Sequence, residues 1–319
     1  MTETFTDRSS ALEHGYRAVL IAGPTASGKS AFAIELAKRL KGVIINADSM
    51  QLYREMRIVS ARPSLEDEAL AAHRLYGVLP ASHACSTGEW LGYARQEIER
   101  ARGSGFLPIL VGGTGLYFKA LCEGFAEIPS IRPELREKCR GLAEEGGLEA
   151  VREALLEKDP VAAESLQDLQ RLTRALEVVE GTGRTLLQWQ QDGNGEPVVP
   201  VHECARIVLE PPRSWLHQRI ALRSDLMLSD EGIAEIEALL ALKLPDTLPA
   251  MRAIGVKEVD AYLRGEVSLA ATVERLTVAT RQYAKRQETW FRNQMSDWTR
   301  MDPSVLNSAE MADAFWELS

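Results

Sequence analysis

Residues Ala18–Leu40, AVLIAGPTASGKSAFAIELAKRL, pack three structural signals into one run. Ala18 to Ala22 are apolar and read as a buried strand, and Phe32, Leu36 and Leu40 recur at the four-residue interval of one helix face. Between them lies the spacing G-x-x-x-x-G-K-[ST]. A strand that passes through such a loop into a helix aims backbone N–H groups and the positive end of the helix at one point, which makes a cradle for phosphate oxygens. Its residues are Gly23, Pro24, Thr25, Ala26, Ser27, Gly28, Lys29 and Ser30. Lys29 is placed to reach the outer phosphate, and the Ser30 hydroxyl suits Mg²⁺. Loops of this kind usually hold a nucleoside triphosphate, but they fix only phosphate oxygens.

Outward from this point, strands and helices alternate over residues 16–124. GVIINADS, Gly42–Ser49, reads as a second buried strand and FLPILVGGTG, Phe106–Gly115, as a third. That order predicts an α/β fold, a P-loop NTPase-like parallel sheet flanked by helices with ligands at the carboxyl ends of the strands. From about 132 to 192 the texture becomes wholly helical and charged, so residues 125–204 read as an all-helical insertion domain. DGNGEP, Asp192–Pro197, is a loop signal, and CARIVLEPP, Cys204–Pro212, returns the chain to the sheet. Residues 205–300 form the second part of the core. Residues 1–15 read as a flexible tail, and 301–319 carry no legible role.

Bulk properties narrow the function. The chain has 319 residues with 37 Lys and Arg against 46 Asp and Glu, a formal net charge of −9. That excludes a protein that coats nucleic acid nonspecifically, though not a local basic site. Four scattered cysteines indicate neither a zinc site nor a disulfide framework and fit a reducing cytoplasm. No apolar run spans a membrane, and no zipper argues for more than a monomer.

A nucleotide hydrolase would add an apolar strand ending in an acid that holds Mg²⁺. Here the third strand ends LVGGTG, and the acid comes instead from the second, which delivers Asp48. A carboxylate there can accept a proton from an acceptor nucleophile, or it can cap a helix or support Mg²⁺. Transfer to an acceptor fits these parts better than hydrolysis, and small-molecule kinases and prenyl transferases both stay open. Arg219 and Arg223, four apart in SWLHQRIALRSDLML, can clamp a diphosphate or serve a surface. In ERLTVATRQYAKRQETWFRNQ, Glu274–Gln294, five cations face two acids; Arg281, Lys285 and Arg292 share one face, with Arg286 beside them and Tyr283, Trp290 and Phe291 interleaved. The mixture suits RNA backbone and splayed bases; a solvated face over core aromatics is the alternative.

Together these residues resemble the tRNA dimethylallyltransferases, also called tRNA isopentenyltransferases, in the bacterial form without a zinc finger. The matching stretches are GPTASGKSAFAIELA, INADSMQLYREM, ILVGGTGLYFKAL, DPVAAESLQDLQRLTRALEV, LHQRIALR and ATRQYAKRQETWFRN, in the family's order over about residues 18–293. The resemblance implies transfer of a dimethylallyl group from dimethylallyl diphosphate to N6 of adenosine 37, beside the tRNA anticodon, with Mg²⁺. It implies diphosphate binding by Gly23–Ser30, proton acceptance by Asp48, and assistance to the leaving group by Lys29, Thr114 and Arg219 or Arg223. It further implies anticodon stem-loop contacts from Asp48, Ser49, Met50 and Gln51, from Thr114, from Arg136, from Gln170, Arg171, Leu172, Thr173 and Arg174, and from the Lys285–Arg292 stretch, including Arg286, Gln287, Trp290 and Arg292. The chain departs from the family pattern at Arg57 with IVSARP, at LQDL before Gln170, and at RAIGVK, which ends in Lys257. Competing classes are an adenylate isopentenyltransferase, an ATP-dependent phosphotransferase and a non-catalytic RNA-binding protein.

Overall fold

The computed structural model describes residues 15–126, 128–193 and 195–318; apart from Gly15, the expected tail lies outside the described residues. The chain divides into two compact units, residues 1–122 with 198–319, and residues 123–197.

In the first unit, β1 (Ala18–Ala22) leads into α1 (Lys29–Leu40), followed by β2 (Gly42–Asn46), α2 (Leu65–Leu70), β3 (Ala72–Arg74), α3 (Thr87–Gly103), β4 (Leu107–Gly112) and α4 (Gly115–Glu123). The second unit consists of α5 (Pro133–Leu156), α6 (Pro160–Ser165), α7 (Leu169–Thr182) and α8 (Leu186–Gln191). The first unit then resumes with β5 (Cys204–Leu209), α9 (Arg213–Met227), α10 (Asp230–Ala241), α11 (Val256–Leu263), α12 (Leu269–Gln294), β6 (Thr299–Met301) and α13 (Ser308–Leu318).

The six strands form one sheet in the order β3-β2-β4-β1-β5-β6, and every pair is parallel. Period-two alternation on the central strand explains the layering. Ala18, Leu20 and Ala22 face a core that includes Trp90 and Ala94 of α3 and Phe118 and Leu121 of α4. Val19 and Ile21 face the opposite core, with Phe32 and Leu36 of α1. The strand is buried on both sides, which is why it reads as an unbroken apolar run.

Two strands go beyond the sequence reading. β3, sequence AHR, and β6, sequence TRM, are three-residue edge strands, so the expected third strand is the fourth in chain order. Short, arginine-bearing edges are how sheets avoid pairing with other chains, and such segments carry no alternation to detect. The 301–319 segment also gains a structural part. Met311, Ala312 and Phe315 of α13 enter the same core as α1, and Asp313 pairs with Arg39 at 2.5 Å.

The second unit has its own core of Cys139, Val151, Leu155, Ala163, Leu172, Ala175, Leu176 and Val179. Asp168 starts α7 by accepting from the Arg171 N–H at 2.9 Å, and Gly183 ends it in the left-handed conformation. α5 is interrupted at Gly147, whose φ of 64° is not helical. The helical segment runs over 123–197 rather than 125–204, because Val198 and Val199 both donate to the Leu121 carbonyl and pack in the first unit.

Candidate active site

The carboxyl ends of β1, β2 and β4 bring three loops together. The phosphate loop follows β1 and ends at Gly28, the N-terminal boundary of α1. The Ser27 hydroxyl is wholly buried and has no hydrogen-bond partner, and Ser30 in the first turn of α1 has none among the described residues either. A buried orphan hydroxyl in a glycine-rich loop at a helix N-terminus suits an anion's oxygens.

The cations around the loop are held by hydrogen bonds to oxygen atoms of the loop and of Val59. Lys29 Nζ donates to Pro24 O at 2.7 Å, and Arg219 Nε donates to Ala26 O at 2.9 Å. Arg223 donates to the Thr25 hydroxyl and, through its other terminal nitrogen, to Val59 O at 3.0 Å. Burial pushes the Lys29 ammonium down to about 8, with Asp48 pulling it back up and Arg223 pushing it down. Burial also lowers the Arg223 guanidinium, against the pull of Asp48. Of the two arginines raised by the sequence, Arg223 is thus the one enclosed with Lys29 and Asp48. Arg219 lies outside, exposed, with its guanidinium 4.8 Å from the Trp215 ring.

Asp48 stands two residues beyond β2, and a small device aims it. The fully buried Asn46 accepts from the Asp48 N–H at 2.8 Å and donates to Asp48 O at 2.9 Å and to Leu75 O at 3.0 Å. Trp90 Nε1 anchors the Asn46 carbonyl at 3.0 Å. One carboxylate oxygen, Oδ1, accepts from the Met50 N–H at 3.0 Å in a local turn, while the cap position of the 3₁₀ turn Met50–Leu52 is Ser49; Oδ2 forms no hydrogen bond among the described residues. Tyr76 and Tyr283 lie within electrostatic reach of the carboxylate, their phenols held neutral first by burial and then by the Asp48 charge.

Thr114 joins the β2 and β4 loops: its hydroxyl accepts from the Ser49 N–H at 3.0 Å. Gly113 and Gly115 are small because α12 passes beside them. A Cβ on Gly113 would lie 2.2 Å from Gln287 Nε2, and one on Gly115 would lie 2.0 Å from Trp290 Nε1.

Several expected RNA contacts are placed differently from one another. Arg281, Lys285, Arg286 and Arg292 stand exposed on α12, whereas Gln287 is only 5 % exposed and Trp290 is half-buried. The Gln51 side chain is spent on the carbonyls of Ser60 and Ala61, at 3.0 Å each. In the second unit, Gln170 and Arg171 are exposed and Arg174 half-buried, while Leu172 and Thr173 turn into that unit's core. Arg136 is half-buried with an unpartnered Nε. Arg174 and Arg140 are both held by the buried Glu177, at 3.1 and 3.3 Å.

Sequence reasoning missed Asn46, although a polar residue closing a buried strand two positions before Asp48 was a usable signal. It also missed Glu235 of α10, whose carboxylate accepts from the N–H groups of Arg57, Ile58 and Val59 at 2.8, 2.9 and 2.9 Å. That nest fixes the Val59 carbonyl on which Arg223 rests. Nothing in the sequence marked it.

Residues 51–294 match the IPP transferase family, and residues 16–80 match the isopentenyl transferase family. The chain belongs to the IPP transferase family. The tRNA dimethylallyltransferase of Rhodospirillum rubrum is 50% identical over 279 residues, 87% of this chain and 85% of that protein. The tRNA dimethylallyltransferase of a Chelativorans species is 50% identical over 288 residues, 89% of this chain and 98% of that protein. Among solved structures, the tRNA isopentenylpyrophosphate transferase of Bacillus halodurans is 33% identical with a TM-score of 0.68, covering 95% of each chain. A eukaryotic dimethylallyltransferase described as acting on tRNA is 26% identical with a TM-score of 0.77, covering 90% of this chain and 74% of that one. This IPP transferase therefore has the P-loop NTPase-like fold expected from its glycine-rich loop. Among its described residues no helix is long and apolar enough to cross a membrane.

Proposed function

We propose that the chain transfers the dimethylallyl group of dimethylallyl diphosphate to N6 of adenosine 37 in tRNA. The observation that carries this reading is that half-buried Asp48 interacts electrostatically with Lys29 and Arg223 at the phosphate loop, a carboxylate set among two cations. That pairing serves transfer to an acceptor, whose proton has to leave while an anionic group departs.

The exocyclic amine of adenine is a weak nucleophile because its lone pair is delocalised into the ring. As the C1–O bond of the donor breaks, its electron pair leaves with the diphosphate, whose growing charge Lys29 and Arg223 stabilise. The N6 lone pair forms the new bond to C1, and the N6 proton passes to Asp48 Oδ2, the oxygen not engaged by Met50. Diphosphate and N6-(dimethylallyl)adenosine are the products. The rings of Tyr76 and Tyr283 beside the carboxylate suit both a flat base and an allylic carbon carrying positive charge. Adenosine 37 has to leave its stack to reach this point, which costs least in a single-stranded loop.

The donor set fits Mg²⁺ that arrives with its ligand. Among the described residues no group of three His, Cys, Asp or Glu could hold an ion alone, and the free Ser30 hydroxyl offers one hard oxygen beside the phosphates. Ser30 would hold the ion, which when bound neutralises diphosphate charge. The exposed cations of α12 supply RNA contacts, and so, separately, do those of the helical unit. Four unpaired cysteines and a tRNA substrate favour the cytoplasm, and the chain is read as a monomer.

The test is incubation with labelled dimethylallyl diphosphate, Mg²⁺ and unmodified tRNA, followed by mass spectrometry of the nucleosides. N6-(dimethylallyl)adenosine in the tRNA is expected. Label confined to free AMP, or phosphate transfer from ATP, overturns the reading.

A further inference from the structure

Gln287 lies among the basic and aromatic residues of α12, yet its side chain points away from solvent and is 5 % exposed. Its Oε1 accepts from the Thr25 N–H of the phosphate loop at 2.8 Å, and its Nε2 donates to the Gly113 carbonyl at 2.9 Å. One amide thus joins three segments: the loop after β1, the loop after β4 that presents Thr114, and α12. A carboxylate could accept from Thr25 but not donate to Gly113, and an ammonium could donate but not accept. The absence of a Cβ on Gly113 is what admits the amide.

The rest of α12 explains why this linkage matters. Thr272, Leu276, Thr280, Ala284, Gln287 and Phe291 form a single buried stripe along its 26 residues. Arg281, Lys285 and Arg292 stand exposed. The exposed and buried faces belong to one helix, so a displacement of α12 by a ligand on its cations would move the amide between Thr25 and Gly113.

We infer that Gln287 is a positioning residue that couples the RNA-facing surface of α12 to the phosphate loop, so that docking of tRNA and binding of the allylic diphosphate strengthen each other. The inference rests on the proposed function, since it needs both ligands. Thermodynamic linkage makes the coupling reciprocal: whatever factor tRNA adds to donor affinity, the donor adds to tRNA affinity.

The experiment titrates the full chain with dimethylallyl thiolodiphosphate, an unreactive donor analogue, by calorimetry with and without unmodified tRNA. In the unsubstituted protein tRNA should tighten the analogue by roughly 5- to 100-fold, the ordinary range for coupled sites. In Gln287→Met, similar in size but without the two hydrogen bonds, that factor should fall to about 1 while tRNA affinity measured without donor changes less than about threefold. Gln287→Glu keeps the Thr25 bond and loses the Gly113 bond. Its factor should also fall, and it carries the test if the Met variant melts below assay temperature. A factor near 1 in the unsubstituted protein, or an undiminished factor in a folded variant, overturns the inference. Label transfer to tRNA is measured on the same sample of unsubstituted protein. No transfer overturns the function and the coupling together, whereas transfer with an undiminished factor in the variant overturns the coupling alone.

Discussion

The phosphate loop and the exposed face of α12 both present positive charge, and they hold it in opposite ways. Around the loop, Lys29, Arg219 and Arg223 are fixed by hydrogen bonds to the carbonyls of Pro24, Ala26 and Val59. On α12, Arg281, Lys285 and Arg292 form no ion pair among the described residues and stand in solvent. Cations locked in place and partly dehydrated suit a small ligand whose charge grows at one position during reaction, because the stabilisation is already oriented. Cations left free suit a polyanion, for which release of condensed counterions supplies the affinity and fine placement matters little. Loss of a loop cation should therefore register in the chemical step, and loss of a helix cation in RNA affinity and its response to salt.

The sharpest way to break this division is through Asp48, the one carboxylate among the loop's cations. Asp48→Asn should slow single-turnover transfer by about 10²- to 10⁴-fold with donor affinity retained, as expected for loss of a general base. A rate within a few fold of the unsubstituted protein would leave the carboxylate only its turn contact with the Met50 N–H. Next in size is Arg223→Ala, expected to cost roughly 10²- to 10³-fold in the chemical rate with no change in tRNA affinity. A loss of tRNA binding instead would move Arg223 to the other class of cation.

A pH titration sharpens the comparison further. Lys29 must carry its proton to hold the diphosphate, and in the donor-free protein burial, set against Asp48 and aided by Arg223, lowers it to about 8. kcat/KM for the donor, which reports the free enzyme, should be level just below that pH, where Asp48 is still ionised, and fall about tenfold per unit above it. Bound diphosphate favours the ammonium, so the decline in kcat should begin at higher pH. Lys29→Arg keeps its charge across this range and should remove the decline, whatever activity it retains. The smallest expected effect belongs to Lys285→Ala. It should weaken tRNA binding a few fold and reduce the slope of log affinity against log salt by about 0.7 to 0.9, one phosphate contact, with single-turnover rates at saturating tRNA unchanged. An unaltered salt slope would make that face of the helix structural.

How far the sequence could be read depended on whether a feature is local. The β1–loop–α1 unit, Asp48 at a strand end and the cation stripe of α12 are each written in one short window, and each was legible there. The edge strands β3 and β6 were not, because three residues are too few to carry a periodicity. Glu235 was out of reach for a different reason: its partners are backbone N–H groups 176 to 178 positions earlier, and backbone groups have no sequence identity. Gln287 shows a third kind of limit. A polar residue flanked by cations on a helix looks like surface, and only the stripe it shares with Leu276, Ala284 and Phe291 turns it inward.

The register between β1 and β5, where Ala18 aligns with Cys204, has a consequence for how the chain is made. The central strand leaves the ribosome early and must wait for its second neighbour until about 190 further residues have been added, roughly ten to forty seconds at ordinary elongation rates. Throughout that interval a fully apolar strand has one hydrogen-bonding edge open. The helical unit lies within the delay, and its own separate core lets it fold before β5 emerges. The order of synthesis therefore allows the inserted unit to fold before the sheet is complete, and the open edge of β1 is covered only once Cys204–Leu209 have emerged.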